Sequence, residues 1–257
     1  MPANYAFHRF GAEALATLPE KQQRPIQRFR RLYNSGLHGA DLFFYHRPLM
    51  AGSVGDLYQT YHSMTGREFF TQACDLLKQN PSEGASACLY GLLAHYCLSA
   101  RLTALFRREN LPEVSRTQLE VELDRYLLCQ DGKMPAHTQD LSPEFRMTRG
   151  ECVTVSQFFP PATAANVYEA YRGMIRWTHR MAAKKRGFTE VLLKGTRGTF
   201  RHQLMPDHAN HRCLHLDGAM AQCLTEALAC YSEMAAQLTA YRETGAPLGD
   251  LFDPTFH

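Results

Sequence analysis

The sequence has no CxxC pair, no internal repeat, no low-complexity tract and no apolar run free of charge over the ~18–20 residues that a bilayer span requires. It also lacks a G-x-S-x-G elbow and a glycine-rich phosphate loop, which removes the common serine-hydrolase and P-loop chemistries. The opening MPANYAFHRFGAEAL has no charged region followed by an apolar one, so no secretory signal is expected. The eight cysteines are dispersed through apolar segments, a pattern that predicts reduced core thiols in a cytoplasmic protein. Net charge is small, +3 over 257 residues, and gives no argument for a nucleic-acid partner. The basic clusters in QQRPIQRFRRLY and HRMAAKKRGF read as solvated helix faces.

Strand signals are equally scarce. VLLKGTRGTF (residues 191–200) is the one segment that reads as a short hairpin or irregular loop, with Gly195 and Gly198 as turn residues. Elsewhere apolar periodicity predicts helices over 11–18, 22–33, 54–63, 67–79, 83–108, 115–129, 164–185 and 218–242. Ser115 is a predicted N-cap, and Pro81-Ser82-Glu83 is a favourable start for the long central helix. Residues 132–149 are polar and contain proline, as a linker or surface loop would. With 45% hydrophobic and 21% charged residues, the composition is that of a globular protein. The expected fold is one all-α domain over residues 1–257.

His95 is the residue most informative about function. It lies within LYGLLAHYCLSARLTALF, a stretch that predicts a buried helix, and a buried histidine needs a hydrogen-bond partner or a metal. His8 (in AFHRFG), Asp41 (in GLHGADLFFYHRP) and His62 (in YQTYHSMTGREFF) also sit among aromatic and apolar residues. Three histidines and one carboxylate form a donor set for a first-row metal ion. Each residue has a structural reading as well. His95 is then a core histidine bonded to a carbonyl, His62 a helix-end histidine, Asp41 an N-cap and His8 a packing residue. Glu120 reads as a surface helix charge, and Ser99 as an intrahelical hydrogen-bond partner of His95. A second group, His208, His211, Cys213 and His215, has helical spacing for metal but a polar context that favours an exposed loop.

FHRFGAEAL, GLHGADLFFYHRPL, SMTGREFFTQA, YGLLAHYCLSA and EVELDRYLL, in that order, resemble the bacterial zinc-dependent phospholipase C family. The resemblance runs from Tyr5 to about Leu128. It implies an all-α phospholipase C/D-like domain that binds zinc and hydrolyses phosphoric esters, with a phosphate ester or phospholipid head group as partner. It places His8, Asp41, His62 and His95 at zinc-ligand positions, with Asp41 in the catalytic centre. The chain departs from the family at Ser99, where an aspartate is expected, and at Thr103 and Arg116, where histidines are expected; Glu120 remains. The resemblance therefore implies at most one zinc ion, and leaves two outcomes: a hydrolase with a reduced metal site, or a non-catalytic binding or structural protein on the same fold.

Overall fold

The computed structural model describes residues 4–50, 52–182, 200, 202–206 and 208–256. Ten α-helices account for most of them: α1 (Asn4–Thr17), α2 (Glu20–Arg28), α3 (Arg30–Gly36), α4 (Ser53–Ser63), α5 (Gly66–Gln79), α6 (Glu83–Glu109), α7 (Arg116–Gln130), α8 (Arg149–Ser156), α9 (Ala164–Met181) and α10 (Asp217–Thr244). Short 3-10 turns join them, and no strand occurs among the described residues; extended pairing is limited to one isolated bridge, Thr65 with Thr255. The all-α expectation holds.

Helix starts are fixed locally. Reciprocal capping boxes join Thr65 to Glu68, Ser115 to Gln118, Thr148 to Glu151 and Thr163 to Asn166. Each satisfies amide protons that the first helical turn leaves without an intrahelical acceptor. Ser82 caps α6 by accepting the amide proton of Ala85. The expected helix over 22–33 divides instead at Phe29 into α2 and α3. Helix α8 begins within the expected loop. Its signal, Thr-x-x-Glu at 148–151, is an ordinary capping box that the polar surroundings obscure. The same loop is partly interior, since Ala136, Ser142 and Phe145 are buried. The hairpin expected at 191–200 lies outside the described residues except Phe200, which is buried and stacks on Trp177 at 4.0 Å. Residues 183–185 of the expected 164–185 helix also lie outside them.

Helix α6 is the axis of the core. Its residues Ala87 to Ser99 are all buried, and it packs against α3, α10 and α1. Each large apolar side chain removed from water there contributes roughly 1.5–3 kcal/mol. The α3–α6 crossing is close because Gly36 faces the Cys88 carbonyl and Gly91 faces the Tyr33 carbonyl, with no room for a Cβ at either glycine. Six cysteines (Cys74, Cys88, Cys97, Cys152, Cys213 and Cys223) are buried as free thiols within this helical core. The basic stretch at 22–33 lies on solvated faces, where Arg24 pairs with Glu20, Arg28 with Glu83 and Arg31 with Glu151. Among the described residues, no helix is long and apolar enough to cross a membrane.

Two connections position the functional residues. Asp124 of α7 accepts the amide protons of Tyr5 at 3.2 Å and Ala6 at 2.8 Å, and so caps α1 from across the fold. Residues 248–256 lie over the other side of α6. Tyr96 donates to the Pro254 carbonyl at 2.9 Å, the Gly66 amide donates to the same carbonyl at 3.0 Å, and Phe256 packs among Phe69, Phe70, Tyr96 and His95.

Candidate metal centre

Asp41, His62 and His95 come together from three separate elements. Asp41 lies on the 3-10 turn Gly39–Tyr45, His62 near the end of α4 and His95 in the middle of α6. Each offers a ligand atom within 4.8 Å of the other two, and all three residues are buried. Only 2% of Asp41, 4% of His62 and none of His95 is exposed.

The hydrogen bonds of the imidazoles define their chemistry. His95 Nδ1 lies 3.0 Å from the Leu37 carbonyl, and His62 Nδ1 bonds the Tyr58 carbonyl. A carbonyl oxygen has no proton to give, so both Nδ1 atoms are donors. In the neutral imidazoles both Nε2 lone pairs then turn toward Asp41. His62 Nε2 is 2.8 Å from Asp41 Oδ1, and His95 Nε2 is 3.7 Å from Asp41 Oδ2. Lone pairs and a carboxylate facing one another in a dry interior repel unless a cation lies among them. A proton shared by His62 and Asp41 answers one of the two contacts. It leaves His95 Nε2, buried without a hydrogen-bond partner among the described residues, facing the second carboxylate oxygen. A metal ion answers both. Bonds of about 2.0–2.2 Å at tetrahedral angles set ligand atoms about 3.3–3.6 Å apart, between the two separations found here. An imidazole whose other nitrogen donates to a backbone carbonyl is the usual second-sphere arrangement of a metal-bound histidine.

The surroundings keep His95 neutral. It is packed between Phe7, at 4.6 Å between ring centres, and Phe256, at 6.2 Å. Burial lowers its pKa, and the Asp41 carboxylate only partly offsets this. Gly39 makes room for the ring. Its φ is +53°, and a Cβ there would fall 2.7 Å from His95 Cδ2. Three features of one short segment thus serve His95: the Leu37 carbonyl orients it, Gly39 clears it and Asp41 faces it.

His8, the fourth residue in the expected set, is not part of the close group of three. Its ring lies 6.4 Å from that of His38, and the His38 ring in turn meets Phe145 edge-on at 4.7 Å. Burial lowers the pKa of His8, and it holds that of His38 down to about 3. His38 is absent from the expected set, although it sits three residues before Asp41 in the same motif.

Glu120 is a buried residue, 7% exposed, and not the surface charge expected. Arg116 Nε donates to Glu120 Oε1 at 2.8 Å, and Arg116 Nη1 donates to Thr103 Oγ1 at 2.8 Å. Burial raises the Glu120 pKa, Arg116 opposes the rise, and Asp41 adds to it. Ser99 bonds outside its own helix, donating to the Phe256 carbonyl at 2.8 Å in place of the expected contact with His95. The second histidine group does not form one helical face. His208, His211 and His215 are exposed on turns, Cys213 is buried, and helix α10 begins only at Asp217.

No family model, no curated protein and no solved structure matches this chain.

Proposed function

We propose that this is a metal-binding all-α protein of the zinc-dependent phospholipase C type, in which Asp41, His62 and His95 hold one divalent ion with a structural role. The observation that carries this reading is the convergence of two Nδ1–H donors' opposite nitrogens on one carboxylate. Two imidazoles and one carboxylate suit zinc, which takes nitrogen and oxygen donors without a strong geometric demand. Such an ion ties α4, α6 and the Gly39–Tyr45 turn together at the point where their polar atoms would otherwise repel.

Burial favours the structural role over ester hydrolysis. A catalytic metal keeps a position open to substrate, and here the three ligands are almost wholly enclosed. The hydrolase reading, with Asp41 in the catalytic centre and a phosphate ester or phospholipid head group as substrate, needs that enclosure to open.

Metal analysis of protein purified without an affinity tag tests the proposal. About one zinc per chain is expected, falling to near zero in His62→Ala and His95→Ala, and chelation should lower the melting temperature. Absence of metal after purification and after zinc titration would remove the metal reading. Metal-dependent cleavage of bis(4-nitrophenyl) phosphate, abolished by the same two substitutions, would favour the hydrolase.

A further inference from the structure

A cleft of about 320 Å³ between α8, α9 and the residues that follow the Gly39–Tyr45 turn carries four guanidiniums, those of Arg47, Arg149, Arg172 and Arg176, against one carboxylate, that of Glu169. The whole chain has a formal charge of only +3, and this one cleft holds as much. Helix α9 gathers the charges. Arg47 grips Glu169 through Nε at 2.8 Å and Nη2 at 3.3 Å, and the Arg149 guanidinium lies 5.3 Å over the ring of Tyr168, the residue before it. Arg172 and Arg176 follow one and two turns further along the same helix face. Like charges four positions apart on a helix repel. Elsewhere on the surface arginines meet carboxylates at that spacing, as Arg9 does with Glu13 and Arg24 with Glu20. Arg172 and Arg176 are exposed, and neither has an ion-pair or hydrogen-bond partner among the described residues. Arg47 is held at φ +50°, a left-handed conformation that is strained for a residue with a side chain. Beneath these groups Tyr45 and Trp177 are buried, and Gly173 lies against the Tyr45 carbonyl with no room for a Cβ, so the floor is close-packed.

We infer that this cleft binds a small soluble molecule through a phosphate monoester or diphosphate group. A guanidinium presents its donors as a planar fork that matches an oxyanion, and Arg47 already engages two carboxylate oxygens in that way. One carboxylate answers one fork. A phosphate carries up to two charges and three acceptor oxygens, and so answers several forks at once. Arg47 and Glu169 are 58% and 43% exposed, and an exposed pair of this kind contributes little, so Arg47 exchanges Glu169 for a ligand at small cost. The cleft is larger than a phosphate group alone, which leaves room for an organic part against the floor, as in the smaller of ordinary ligand sites. None of Asp41, His62 and His95 lines it, so it is a site separate from the candidate metal centre.

Isothermal titration calorimetry of chelator-stripped full-length protein at low salt, with phenyl phosphate and inorganic pyrophosphate as probes, tests the assignment. Stripping the protein keeps a bound metal from supplying the affinity, so the result does not depend on the one-ion reading above. Saturable binding of one equivalent is expected. Arg172→Gln combined with Arg176→Gln should weaken it at least tenfold, and Glu169→Gln, which frees Arg47, should tighten it at least threefold. Arg24→Gln combined with Arg28→Gln removes the same charge from α2 and should leave the affinity unchanged. If the double glutamine variant on α9 loses its helical circular dichroism, Arg172→Lys with Arg176→Lys carries the test, because it keeps the charge and loses the forks; a loss of at least threefold is then expected. No saturable binding of either probe overturns the inference. Equal weakening by the α2 pair overturns it too, since the attraction is then diffuse charge. Loss of binding in His62→Ala would place the phosphate at the metal centre instead. Binding to phosphatidic acid vesicles but to neither soluble probe would overturn it in favour of a membrane surface.

Discussion

The Leu37 carbonyl accepts the Nδ1 proton of His95 across 58 positions of sequence, and four residues after Leu37 the chain delivers Asp41 to the other nitrogen of the same ring. One short segment therefore fixes both the tautomer of His95 and the negative charge that its lone pair meets. Sequence spacing sets this arrangement up within residues 37–41, and the close α3–α6 crossing brings it to His95.

Gly39 makes that approach possible, and its replacement should disturb metal binding. Gly39→Ala combines a positive φ with a Cβ that would fall 2.7 Å from His95 Cδ2. We expect a loss of about 1–3 kcal/mol in stability and a weakening of cobalt or zinc binding of at least tenfold. Gly132→Ala is the control, since Gly132 has φ +69° and a Cβ there would meet nothing within 4 Å. It should show backbone strain without any change in metal affinity. Equal metal affinity in the two variants would mean that the Gly39–His95 contact does not govern the site.

Much of this is legible in the sequence, and the limits have physical causes. Helix periodicity and capping residues are local, so the all-α fold and most helix bounds can be read directly. Asp41, His62 and His95 stand out because charged or basic side chains interrupt apolar runs. The same logic mistakes Glu120. Its burial depends on Arg116 and on the packing of α7 against the rest of the fold, and an i,i+4 Arg–Glu pair looks identical on a solvated helix. Ser99 is misassigned for a similar reason: its partner, Phe256, is 157 residues away, and no local pattern encodes that contact.

Asp124 should be a stability residue with an indirect effect on the centre. It satisfies two amide protons at the start of α1, the helix that carries Phe7 onto His95. Asp124→Ala leaves those donors buried, at a cost of about 1–3 kcal/mol. Asp124→Asn retains one acceptor oxygen and should lose less. Urea denaturation of chelator-stripped protein measures both. A neutral result for Asp124→Ala would show that the cap is dispensable.

Acid stability should depend on His38. Burial, aided by the neighbouring imidazoles and opposed by Asp41, lowers its pKa from 6.5 to about 3 in the folded protein. Between those values the unfolded chain binds a proton that the folded one refuses. Stability therefore rises with pH through this window, is complete above pH 6.5, and is lost progressively on acidification. On that basis, moving from pH 7.5 to pH 5 should cost about 2 kcal/mol through His38. His38→Leu should lack that share of the loss, whatever constant penalty its shape imposes. The comparison requires urea midpoints for both proteins at both pH values, in chelator, so that metal release does not contribute. The same pH slope in both would show that His38 is not the residue responsible.

Ser99 should govern how firmly residues 250–256 cover the centre. Its hydroxyl donates to the Phe256 carbonyl inside the core, and the Phe256 amide donates to the Met64 carbonyl at 3.3 Å. Ser99→Ala leaves a buried carbonyl without that donor, which should cost about 1–3 kcal/mol. The loss should be local, because Tyr96 and Arg67 still hold the preceding residues through Pro254, Leu248 and Gly249. Amide hydrogen exchange is the direct measurement. Protection of Phe256 should fall by at least tenfold, while protection within α6 changes much less. Unaltered protection at Phe256 would show that ring packing among Phe69, Phe70 and Tyr96 holds the segment without the hydroxyl. Equal loss across α6 would show that the bond supports the whole core and not its cover.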